Sequence, residues 1–120
     1  MAMNLLSTQS EFVCNNECWR RALALAAKYG WQNAGTSAPK NFPEAWDGNY
    51  LTNDGQKFDR EDALSFGSAL KEALDDVPPI ETPKPLEDQS DLEFFSGEDG
   101  KFFLRQLSGF CRSSGGFKIF

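Results

Sequence analysis

The sequence predicts an α+β fold in which three amphipathic helices pack with a small antiparallel sheet around one core. Three stretches repeat apolar residues at spacings of three and four, each preceded by a capping side chain and followed by Gly or Pro. Short aromatic runs beside Asn, Asp and Gly supply the strands. With 11 Phe, 3 Trp and 2 Tyr, the 120 residues hold large apolar bodies enough for one core, so residues 1–120 are expected to form a single domain.

Residues 1–12 show no helical period and are expected to be disordered. In residues 15–30, NNECWRRALALAAKYG, Asn15 or Asn16 caps the first amides, Glu17 suits the positive end of the helix dipole, and Gly30 ends the helix. Trp19, Ala22, Leu23, Ala26 and Tyr29 form its apolar stripe, with Arg20, Arg21 and Lys28 mostly off it. Residues 31–49 have no period but carry Trp31, Phe42 and Trp46; a loop of that length is either held by its aromatics or functional. Tyr50 and Thr52 before Asn53-Asp54-Gly55, with Phe58 after it, read as a short hairpin. Asp59 caps a second helix with the stripe Ala63, Phe66, Leu70, Ala73, Leu74 and Val77, stopped by Pro78-Pro79. Residues 78–91 contain four of the chain's six prolines and are expected to be an extended, exposed connector. Leu92-Glu93-Phe94-Phe95 reads equally as a short strand or a packed turn. A third helix follows Ser96-Gly97-Glu98-Asp99, with Phe103, Leu104, Leu107, Phe110 and Cys111 on one side, and ends at Gly115-Gly116. Phe117-Lys118-Ile119-Phe120 alternates as a strand that buries Phe117 and Ile119.

The formal charge of −6 is unevenly spread. Between Glu72 and Asp99 ten carboxylates face one cation, Lys84. Such a segment repels phosphate backbones, so nucleic acid is not an expected partner, and it attracts a basic protein. The candidate contact residues are Asp75, Asp76, Glu87, Asp88, Asp91 and Glu93; plain solubility is the competing explanation of the same charge. No stretch approaches the roughly 20 apolar residues of a membrane helix, and MAMNLLSTQSEF lacks the basic start and long apolar run of a secretion signal. A cytoplasmic protein without a membrane partner is expected.

His is absent, which removes Ser-His and Cys-His nucleophile pairs and imidazole metal ligands. Cys14, Cys18 and Cys111 form an odd set without zinc-type spacing, and buried or half-buried free thiols are the expectation; Cys18, in the first turn of a helix, is the one whose pKa the dipole would lower. Around Asn53-Asp54-Gly55 and Glu61 the Gly and Glu positions of a calcium loop recur, but Tyr50, Thr52 and Lys57 stand where ligands and the apolar anchor belong. Ser68-Ala69-Leu70-Lys71 and Ser37-Ala38-Pro39-Lys40 spell a Ser-x-x-Lys pattern without its companion motifs. No catalytic residue, metal ligand or cofactor site is therefore assigned.

Trp31 after Gly30, Trp46-Asp47-Gly48-Asn49-Tyr50, Asn53-Asp54-Gly55-Gln56, Asp62-Ala63, and Phe110-Cys111-Arg112 with Gly115-Gly116-Phe117 give the chain, from Cys18 onward, a pattern that resembles a group of small uncharacterised bacterial single-domain proteins. The resemblance implies no activity. In size and charge, though in no motif, the chain is also similar to immunity proteins that neutralise toxins. The leading expectation is thus an acidic protein-binding module, immunity-like, that engages a basic partner. The alternatives are a small-ligand sensor or minor enzyme with a pocket at Trp46, Asp47, Tyr50 and Asp54, and an oligomeric structural protein.

Overall fold

Asn15 and Asp59 start two of the long helices where their side chains place them. The computed structural model describes residues 2–32, 36 and 48–120. The elements are β1 (Ala2–Leu6), β2 (Glu11–Asn15), α1 (Asn16–Lys28), β3 (Lys57–Phe58), α2 (Arg60–Leu74), a 3-10 turn at Leu86–Asp88, α3 (Asp91–Phe94), α4 (Gly97–Ser113) and β4 (Phe117–Ile119). The Asn15 side chain accepts from the Cys18 amide and that of Asp59 from the Asp62 amide, satisfying donors that a helix start leaves free.

The fold is α+β: one antiparallel sheet, in the order β2-β1-β4-β3, with the long helices on its inner face. Met3, Leu5, Cys14, Phe58, Phe117 and Ile119 point inward from the strands and meet Trp19, Phe66, Leu70, Leu104 and Leu107 from the helices. Helices α2 and α4 run antiparallel. Gly67 lies against Ser108 and Cys111, and farther along, the Gly97 amide donates to the Pro78 carbonyl at 2.9 Å.

Two expectations need correction, and one choice between readings is decided. Residues 1–12 are not disordered: residues 2–15 form the hairpin β1–β2, with Met3 opposite Cys14 and Leu5 opposite Phe12. Met3 and Leu5 are fully buried beside half-buried Phe12, so the hairpin is held by the core, which a search for helical period misses. Second, the segment 50–58 is no hairpin; only Lys57 and Phe58 pair, and with β4. The buried Gln56 amide gathers the loop instead, donating to the Thr52 carbonyl at 2.6 Å and accepting from the Asp54 amide at 2.9 Å. Backbone groups that a hairpin ladder would have used are met by one side chain. Third, Leu92–Phe95 is not a strand; of the two readings the packed turn holds, as a single helical turn against the core. Ser90 and Glu93 form a reciprocal capping box that winds α3.

The connector is exposed over most of its length, as expected, but it is fastened. Arg21, placed off the apolar stripe by its spacing, is buried and donates to the carbonyls of Gln89 at 2.7 Å and Leu86 at 3.0 Å.

Candidate functional site

The six acidic residues singled out from the charge pattern divide into two groups. Asp75 and Asp76 close α2, and Glu87 and Asp88 lie on the 3-10 turn; all four are exposed. Asp76 also accepts from the Tyr29 hydroxyl at 2.6 Å, and that bond pushes the Tyr29 pKa up to about 12. Asp91 and Glu93 are internal fasteners. Asp91 is buried between Arg21 at 3.3 Å and Lys28 at 2.9 Å. Glu93 pairs with Lys84 at 2.8 Å and accepts from the Ser90 amide; these two bonds, the Lys84 one foremost, hold its carboxyl down at about 2. Two further acids, Glu98 and Asp99, are exposed in the first turn of α4.

Apolar side chains stand exposed among these carboxylates. Ile80 is 78% exposed beside Glu81, Leu86 is half exposed beside Glu87, and Phe102 is 58% exposed on α4. Phe102, Pro79, Glu98, Lys101 and Arg105 line a shallow hollow of about 290 Å³. The charge count found the acids, but not these anchors, because an isolated Ile or Phe in sequence carries no sign of exposure.

The suggested pocket is not assembled from its described members. Trp46 and Asp47 lie outside the described residues, as do Phe42 and Ser37 to Lys40. Tyr50 turns into the core, its ring 5.3 Å from Trp31 and 4.7 Å from Phe58, while Asp54 is exposed. The hydroxyl of Tyr50 donates to Asp62, whose other carboxyl oxygen accepts from the Trp31 indole at 2.8 Å. The Tyr50 carbonyl accepts from the Trp19 indole at 2.7 Å. Asp62 lies in the first turn of α2. Its signal was its position four residues before Phe66, on the buried face.

Burial pushes all three thiols up: Cys14 to about 12, Cys111 well above its ordinary value, and Cys18 by a smaller shift that the bond from Asn15 partly offsets. At Cys18 desolvation outweighs the hydrogen bond from Asn15, so its pKa lies above the ordinary value and not below it. Among the described residues no group of three or more Cys, Asp or Glu is placed to hold a metal ion, and no helix is long and apolar enough to cross a membrane. Ser68 and Lys71 lie on the solvent side of α2.

The fold defines the class as a small α+β protein. Comparison of the chain with protein-family models, with curated proteins and with solved structures returns no match. Trp31, Tyr50, Gln56, Asp62 and Phe117, quoted above for the resemblance, are all buried.

Proposed function

We propose that the chain is a soluble, cytoplasmic protein-binding module, immunity-like in its manner, that captures a basic partner on the surface running from the end of α2 through the connector to the start of α4. The observation that supports this reading is that the chain from the end of α2 to the start of α4 carries exposed carboxylates (Glu72, Asp75, Asp76, Glu87, Asp88, Glu98 and Asp99) interspersed with exposed Ile80, Leu86 and Phe102. Ile80 and Leu86 each stand beside a carboxylate, and Phe102 lies between Glu98 and the cations Lys101 and Arg105; a partner that is mainly basic suits this set, the field steering encounter and the anchors slowing release. The internal pairing of Asp91 and Glu93 removes them from the contact set and makes them supports of its shape.

The test is affinity capture with the immobilised chain at low and high salt, repeated with Asp75→Lys/Asp76→Lys, with Glu87→Lys/Asp88→Lys and with Phe102→Ala. A partner whose capture weakens about tenfold or more in each charge reversal and falls with salt fits the proposal. Capture indifferent to salt and to every one of these changes would remove it.

A further inference from the structure

The end of the α2–α4 pair opposite the connector carries the reverse charge. Lys57 and Lys118 are register partners across β3 and β4, both exposed on the outer face of the sheet. Arg60 opens α2, and Arg112 closes α4 with its Cγ over Gly67. One close approach brings together the two segments that carry them. A Cβ on Gly116 would sit 3.0 Å from the Phe58 carbonyl oxygen and 3.1 Å from the Arg60 nitrogen, and φ is +107° there. Only glycine lets the turn after α4 press on the β3–α2 junction, and that turn is flanked by Arg112 and Lys118 as the junction is by Lys57 and Arg60.

Two hollows abut at this place, sharing Thr8, Ser114 and Gly115. One, of about 380 Å³, is lined by Lys57, Lys118, Leu6 and Phe117 among others; the second, of about 450 Å³, by Arg60, Arg112 and Leu64. Neither is lined by an Asp or Glu. Among the described residues Arg20, Arg21, Lys28 and Lys84 make ion pairs; these four cations, like Lys71, Lys101 and Arg105, make none. Of the two acids adjacent to Arg60, Asp59 is turned to the Asp62 amide at 3.0 Å and Glu61 is exposed in the first turn of α2 without an ion pair to it, while Glu11, in the same cross-strand row as Lys118, is separated from it by Leu6.

Like charges placed opposite one another across strands repel. These four exposed cations line two abutting hollows without a carboxylate in their walls, and an anion seated there would offset their mutual repulsion. We propose that this basic end binds a small tetrahedral dianion, either inorganic phosphate or the phosphate group of a small ester whose apolar part rests on Leu6 or Leu64. A long polyanion does not fit, because α2 and α4 extend about 22–25 Å and bring it to the acidic end. The site is independent of the surface assigned to a basic partner.

The experiment is an amide NMR titration of the full chain with sodium phosphate and with phenyl phosphate, against sodium chloride at the same ionic strength. Saturable shifts at Thr8, Ser114, Gly115 and Gly116 are expected with phosphate and not with chloride; tighter binding of phenyl phosphate identifies the ester and equal binding the free ion. Lys57→Gln/Lys118→Gln and Arg60→Gln/Arg112→Gln should each weaken binding about tenfold or more, as loss of charge-assisted bonds requires. All four side chains are exposed, so these variants should fold. In phosphate-free, low-salt buffer Lys118→Gln should also melt higher than the parent, while losing the rise in melting temperature that phosphate gives the parent. Shifts that appear equally in chloride, or that survive both double replacements, would overturn the proposal.

Discussion

Two regions of this protein bury an aspartate, and they do so by opposite means. Asp62 sits in the aromatic core and accepts from two neutral donors, the Trp31 indole and the Tyr50 hydroxyl. Asp91 sits under the connector and faces two cations, Arg21 and Lys28. The first joins the segment after α1, the loop before β3 and the start of α2 by short-range hydrogen bonds that salt does not reach. The second ties a proline-rich segment to α1 through charge, part of it exposed to solvent, since the Lys28 side chain is largely outside. The core side is therefore locked, whereas the connector side, which carries the proposed contact surface, is fastened by interactions that a charged partner or salt can loosen.

Removing Asp62 should have the largest effect. Asp62→Ala leaves a buried indole N–H and a buried hydroxyl without the acceptor they share and should cost about 3 kcal/mol, read by urea unfolding. A chain as stable as the parent after that change would erase the contrast between the two regions. Arg21→Met comes next, at about 2 kcal/mol, because Asp91 keeps Lys28 while two connector carbonyls lose their donor. Its signature is local: hydrogen exchange should quicken from residue 84 to 95 and stay unchanged around Trp31, and high salt should do the same to the parent more weakly. Exchange that quickens equally on both sides would show one cooperative unit where two are described.

The smallest effect is that of acid. Glu93 titrates at about 2 in the folded chain, below its ordinary 4.5, because Lys84 and the Ser90 amide favour its charged form. A folded pKa depressed in this way contributes stability that is complete above about pH 4.5 and is lost as pH falls toward 2. In Glu93→Gln, melting temperatures measured between pH 6 and 2 should fall less steeply than in the parent. Parallel curves would show that the pair with Lys84 contributes nothing to the fold.

What was legible in the chain was local. The stripes of α1, α2 and α4 and the caps Asn15 and Asp59 lie within windows of a few residues, and the structure places them as read. The burial of Phe117 and Ile119 followed from alternation in the same way. The residues that most changed the reading have distant partners. Arg21 meets Gln89 68 positions away, and Trp31 meets Asp62 31 positions away. Nothing near Arg21 distinguishes it from Arg20, which pairs with Glu17 at the surface.

The same holds for charge. Composition alone established that Glu72 to Asp99 is acidic, since a count needs no geometry. Which acids face outward, and that Lys57, Arg60, Arg112 and Lys118 share one end, was decided only when antiparallel α2 and α4 and the packed Gly116 turn brought the two halves of the chain together. Periodicity and capping act between neighbours along the backbone, whereas burial and electrostatic company are set by neighbours in space.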